Sequence, residues 1–134
     1  MKGQLKNSEK RNAILAALKC TKTHPSADWI YERVKADFPE IGIATVYRNL
    51  KLLLEQNMIF KVDVGDGLDH YDAQTQIRHD HTYCTVCGAI GDIDVGTPTN
   101  FNKFESKDFS VESYSTVLFG KCRKCALAEA QKSN

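Results

Sequence analysis

Four cysteines stand in two pairs of identical spacing, Cys84-x-x-Cys87 and Cys122-x-x-Cys125. A two-residue gap lets both thiolates of a pair turn toward one point. Two such pairs supply the four soft ligands of a tetrahedral zinc. Just upstream, His79 and His81 form a His-x-His. Alternate residues of a strand share a face, so both imidazoles address the same side. They fall outside the cysteine set and are available to a second metal of different character. The pattern implies one metal that holds the fold and one that is sensed. The fifth cysteine, Cys20, has no partner by spacing and reads as a small buried hydrophobe at a helix end.

The chain that must position these groups has 134 residues, enough for one domain or two small ones. Its 42% apolar and 26% charged content is ordinary for a globular protein. No apolar run approaches the roughly 18 residues of a membrane span. The first seven residues do not lead into a signal-peptide core, so a cytoplasmic protein is expected. There, cysteines argue for metal rather than disulfides. Charge is unevenly placed. Residues 1–62 hold 11 Lys and Arg against 6 Asp and Glu, which suits a polyanion partner. Residues 63–72 hold Asp63, Asp66, Asp69 and Asp72 and no basic residue, which suits a cation.

Residues 9–20 read as a helix, with Ala13, Ile14, Ala17 and Leu18 at helical spacing. Thr23-His24-Pro25-Ser26 breaks it. Ser26 is the expected N-cap of a second helix that buries Ala27, Ile30, Val34 and Phe38 and stops at Pro39. A third helix is expected over residues 44–56, burying Val46, Leu50, Leu53 and Leu54. Residues 59–64 and 68–72 read as strands joined by the turn Gly65-Asp66-Gly67. Three helices followed by a hairpin is the order of a winged helix-turn-helix. The expected fold is therefore α+β, with a winged helix-turn-helix over 1–72, a hinge over 73–78 and a second domain over 79–134. In the second domain, residues 81–84, 89–95 and 111–119 read as strands. Residues 101–108 are compatible with helix, and 122–132 form a terminal helix carrying the second cysteine pair. A domain this small seldom has core enough to fold alone; a metal or a dimer interface completes it.

On the third helix, stepping 100° per residue from Val46 puts Leu50 and Leu53 on the buried side. Ala44, Arg48, Lys51 and Glu55 fall opposite, with Thr45 and Tyr47 at the boundaries. That face suits a helix entering a major groove by its N-terminal half, or a plain solvated face of an amphipathic helix; the hairpin that follows favours the former because it completes a wing. Arg48 suits a guanine edge or a phosphate. Thr45 and Tyr47 suit a phosphate or a thymine methyl, and Lys51 adds charge.

Three segments now carry a resemblance. His24-Pro25-Ser26-Ala27-Asp28, Ala44-Thr45-Val46-Tyr47-Arg48-Asn49-Leu50 and His79-Asp80-His81-Thr82-Tyr83-Cys84-x-x-Cys87-Gly88 match in order and spacing the ferric uptake regulator (Fur) family of metal-dependent repressors. The resemblance runs from about residue 8 to Cys125. It implies a C-terminal α/β dimerisation domain with structural zinc on Cys84, Cys87, Cys122 and Cys125. It also implies a regulatory Fe(II) or Mn(II) on His24, Asp72, His79, His81 and Asp92, with ligands drawn from both domains. Each ligand has a plainer alternative: His24 as a helix-start residue, Asp72 as a turn cap, Asp92 as a surface charge. The chain departs from many members in its short N-terminus, which leaves little room for their additional first helix.

Asp92 narrows the resemblance. Iron sensors of the family usually carry Glu at this position and the peroxide-sensing branch carries Asp. Arg78, where iron sensors often have a further His, points the same way. The implied function is a peroxide-responsive repressor that binds palindromic operator DNA as a homodimer and is released when iron-driven chemistry oxidises His24 or His79. An iron- or zinc-uptake regulator of the same family is the alternative, although zinc sensors commonly place a Cys in the sensing site. His70 has two readings, as a substitute ligand or as a cap for the wing. An enzyme with a hydrolytic centre at His79, His81 and Asp92 is disfavoured by the short chain and by the lack of a nucleophile or phosphate loop. A zinc-ribbon interaction module has no need of Arg48 and Tyr47 on an exposed helix. Neither a membrane nor a small organic ligand is expected as a partner.

Overall fold

The computed structural model describes residues 8–73, 79–96, 106–112 and 114–132. The chain divides into two compact units, Met1–Ile77 and Arg78–Asn134.

The first unit opens with helix α1, Glu9–Lys19, whose N-cap Ser8 accepts a hydrogen bond from the Arg11 amide at 3.3 Å. Helices α2, Ala27–Lys35, and α3, Ile43–Glu55, follow. Their apolar stripes meet in one core: Ile14, Ala17 and Leu18 from α1, Ala27, Ile30 and Val34 from α2, and Val46, Leu50 and Leu53 from α3. Ile41, Ile59 and Tyr71 close it, with Phe38 and Leu54 packed partly buried against it. Helix α2 ends sooner than expected, at Lys35, and Phe38 reaches the core from beyond it. The residue before a proline is driven out of the helical region, and that residue is Phe38. Helix α3 ends in a Schellman motif. Asn57 takes a left-handed φ of 57°, Met58 N–H donates to Leu53 O at 3.0 Å and Asn57 N–H donates to Leu54 O at 3.0 Å.

The wing is shorter than its sequence pattern. Strands β1, Phe60–Val62, and β2, His70–Asp72, pair antiparallel with Phe60 opposite Asp72 and Val62 opposite His70. Residues 63–69 are loop because two Asp side chains fold the backbone locally. Asp63 accepts from Gly65 N–H at 2.9 Å and Asp66 from Leu68 N–H at 3.0 Å. Gly65 and Gly67 both sit at φ 81°, which glycine tolerates without strain. Ser26 occupies the N-cap of α2 but makes no side-chain cap bond; its backbone bridges to His70 instead. Cys20 caps the end of α1 and is exposed, contrary to the buried reading.

The second unit is a three-stranded sheet in the order β4-β3-β5, with β3 at Asp80–Cys84, β4 at Ile90–Ile93 and β5 at Val117–Gly120. β3 pairs antiparallel with β4 and parallel with β5. Helix α4, Arg123–Lys132, completes it. The strand expected over 111–119 narrows to β5. Residues 106–109 form a tight turn closed by a bridge between Ser106 and Phe109 rather than helix. Residues 101–105 and hinge residues 74–78, Arg78 among them, lie outside the described residues. Among the described residues of this unit, only Cys84 and Ile90 are buried apolar side chains. No helix of the described residues is long and apolar enough to cross a membrane.

Candidate metal centres

The four cysteines converge although 34 residues separate the two pairs. Cys84 ends β3 and Cys87 follows in the turn, where Gly88 takes φ 78° and its N–H donates to Cys84 O at 2.9 Å. Parallel pairing of β5 along β3 sets Gly120 beside Cys84 and so delivers Cys122 and Cys125 to the same corner. The four sulfurs lie within 4.8 Å of one another, and Cys87 Sγ is 3.8 Å from Cys122 Sγ. Zinc–sulfur bonds of about 2.3 Å set the edges of a tetrahedron at about 3.8 Å, so the cluster fits zinc and not a disulfide. Cys84 Sγ accepts the N–H of Cys122 at 3.3 Å and of Cys87 at 3.5 Å. Those two bonds, that from Cys122 first, hold its pKa at about 6. Hydrogen bonding to Cys122, together with desolvation and the other sulfurs, pushes Cys125 up to about 12. One thiolate is thus preformed while another thiol keeps its proton until a cation displaces it.

A second cluster lies on the same sheet. His81 stands directly opposite Asp92 across the β3–β4 ladder, and His79 lies two residues earlier on the same face. Asp92 Oδ1 is 3.2 Å from His79 Nε2 and 3.7 Å from His81 Nε2. The two rings pack edge to face with centroids 4.7 Å apart. Two imidazole nitrogens and one carboxylate oxygen thus converge as three candidate metal donors. Asp80, between the histidines, alternates to the other face and is buried.

The N-terminal unit holds its own pair. His24 and Asp72 are both buried, with His24 Nε2 3.2 Å from Asp72 Oδ2. His24 sits at φ 56°, in the left-handed region that a non-glycine residue adopts only under constraint. The constraint comes from β2. Tyr71 N–H donates to Pro25 O at 3.0 Å, and His70 Nδ1 lies 2.9 Å from His24 O. His70 Nε2 meets Asp66 Oδ2 at 2.7 Å. Burial raises the Asp66 carboxyl, but His70 and the Leu68 amide outweigh it and leave the pKa below its ordinary value. His70 is therefore engaged with the wing turn and the His24 backbone. The sequence signal for this was its alternation with Asp72 and its place four residues after Asp66.

The sequence pattern of the ferric uptake regulator family matches residues 2–118. The chain belongs to this family. Its members are metal-dependent transcriptional regulators. The chain is 32% identical over 117 residues to the peroxide-responsive repressor PerR of Staphylococcus aureus, covering 86% of this chain and 78% of that protein. Two solved structures resemble it closely in fold. The Campylobacter jejuni peroxide stress regulator superposes with a TM-score of 0.69 at 31% identity, covering 87% of this chain and 88% of that one. The Helicobacter pylori ferric uptake regulator superposes with a TM-score of 0.73 at 26% identity, covering 91% and 83%.

On α3 of this family member, Ala44, Tyr47, Arg48 and Lys51 are exposed along one face and Thr45 is half-buried. Asn49 lies on the buried side and donates from Nδ2 to Thr45 O at 2.9 Å, so it is spent on the helix itself. Tyr47, half exposed, has a face and a hydroxyl to offer. The C-terminal unit leaves apolar side chains uncovered: Ile93, Leu118 and Phe119 on its strands and Val95 just beyond β4. A depression of about 450 Å³ runs between Ile93, Leu118 and Phe119.

Proposed function

We propose that the chain is a metal-dependent, peroxide-responsive transcriptional repressor that binds near-palindromic operator DNA as a cytoplasmic homodimer. The zinc held by Cys84, Cys87, Cys122 and Cys125 is structural. The regulatory ion is Fe(II) or Mn(II), with His24 and Asp72 as ligands from one unit and His79, His81 and Asp92 from the other. Three imidazoles and two carboxylates are a borderline-hard donor set that suits those ions better than a soft one. An ion that needs donors from both units favours the arrangement that supplies them and shifts the population toward it. Thr45, Tyr47, Arg48 and Lys51 read the operator, and the uncovered sheet of the C-terminal unit pairs with a second copy.

The observation that carries the reading is Asp92, whose carboxylate faces His79 and His81 at 3.2 and 3.7 Å. In the resemblance that residue separates peroxide sensors from iron sensors, and the named peroxide regulators at 31% and 32% identity support the same branch. Fe(II), if held by these residues, would supply the electron that starts cleavage of the peroxide O–O bond; in sum, H2O2 and one imidazole C–H would give a ring bearing one added oxygen and water, with peroxide as the two-electron oxidant. His24 and His79 are the side chains that then take up oxygen; an oxidised ring is a poorer ligand, and the repressor lets go of DNA.

The test compares anaerobically prepared iron and manganese forms after a brief peroxide dose. The iron form loses operator binding in a shift assay and gains one oxygen on the peptide bearing His24 or His79. Oxygen found only on cysteines, or equal sensitivity of the manganese form, would replace this reading with an ordinary iron or manganese regulator.

A further inference from the structure

The metal ligand His24 does not hold its own shape. Its φ of 56° is strained for a side chain with a Cβ, and Pro25 after it removes the right-handed helical alternative. Strand β2 grips it at two points from one face. Asp72 meets the His24 ring at 3.2 Å, and His70, two residues earlier on the same face, meets the His24 carbonyl at 2.9 Å. The other ring nitrogen of His70 is fastened to Asp66 in the wing turn at 2.7 Å. A backbone carbonyl can only accept, so Nδ1–H of His70 donates to the His24 carbonyl. The bridge between Ser26 and His70 fixes the backbones on which this stands.

We propose that His70 is a positioning residue for the regulatory metal: it fastens the backbone of His24 to the wing turn and so aims the His24 ring at the ion. The inference rests on the metal site proposed above. The ring nitrogens of His70 are bonded to the His24 carbonyl and to Asp66, so it acts through that carbonyl, as a group that orients a ligand without binding the ion.

The test measures Mn(II) affinity of the full-length, zinc-loaded protein and of four variants, with thermal melting in parallel. His70→Leu removes both bonds. His70→Gln extends its amide past the His24 carbonyl toward Asp66. His70→Asn places an amide nitrogen near the position of Nδ1 and keeps the bond to His24 O alone. Loss of an orienting partner weakens metal binding by about tenfold or more, which is expected for His70→Leu and His70→Gln. His70→Asn is expected to restore most of that affinity even if its melting temperature falls as far as that of the leucine variant. His24→Ala is the reference for loss of a ligand. Weak binding by His24→Ala with unchanged binding by His70→Leu or His70→Gln overturns the role of His70 and leaves the metal site standing. Weakening by His70→Asn equal to that of His70→Leu also overturns it, because the carbonyl bond then does not matter. Mn(II) binding by His24→Ala equal to that of the unaltered protein overturns both. If His70→Leu fails to fold, the contrast between His70→Asn and His70→Gln decides the same question.

Discussion

Replacing Cys125 by serine takes one sulfur from a cluster on which the C-terminal unit depends. Ile90 and Cys84 are the buried apolar side chains of that unit among the described residues. A fully buried apolar side chain contributes at most about 3 kcal/mol, and because Cys84 belongs to the zinc cluster, only Ile90 adds that much among the described residues of the unit. Apparent zinc-binding energies in small structural sites run at about 10–16 kcal/mol and are folding energy, so the metal outweighs this core. The N-terminal unit has twelve buried residues in one cluster and its own caps, and it does not draw on the zinc. Cys125→Ser is therefore expected to lose about one zinc per chain and to unfold or monomerise the C-terminal half while α1, α2 and α3 stay protected. Zinc content, gel filtration and amide hydrogen exchange resolved along the chain read these separately. A Cys125→Ser protein that remains a stable dimer with full zinc and full protection of β3 would show that the zinc is not what holds this unit. Equal loss of protection in both units would count against the account too, since the N-terminal core would then not stand alone.

Arg48→Ala is expected to weaken specific operator binding by about 1–3 kcal/mol if the guanidinium reads a base, or to lower the salt slope by about one if it clamps a phosphate; titrations over a salt series distinguish the two, and no change in either removes α3 as the reader. Zinc affinity is expected to rise with pH. Cys84, at about 6, is already mostly thiolate at neutrality, whereas Cys125, at about 12, must give up a proton when the ion binds, and below pH 6 Cys84 becomes protonated as well. Calorimetry in buffers of different ionisation enthalpy checks this by the protons released per zinc. Asn57→Ala is expected to cost about 1 kcal/mol of stability, because alanine loses the left-handed preference that lets asparagine close α3, and Asn57→Gly is expected to cost less; denaturant midpoints test the order.

Much of this molecule is local and therefore legible in one dimension. The stripes of Ile14 and Leu18, Ile30 and Val34, and Val46, Leu50 and Leu53 repeat at the helical period, and one period suffices to aim them at a common core. The cysteine pairs and His79-x-His81 carry their chemistry in spacings of two and three residues, which backbone geometry converts directly into shared direction. Tertiary structure decided what those spacings leave open. Parallel pairing of β5 with β3 brings Cys122 to Cys84 across 38 residues, and a parallel partner has no hairpin signal to announce it. The register of β4 puts Asp92, and not the neighbouring Asp94, opposite His81; a slip of one residue would have turned that carboxylate to the other face. The wing loop consumed residues that alternate like strand, because Asp63 and Asp66 bond their own backbone more readily than a partner strand's. His70 could be read as ligand or cap from its place beside Asp72, and only the fold chose. It brought the carbonyl of a residue 46 positions away to one ring nitrogen and the Asp66 carboxylate to the other, contacts that no local period encodes.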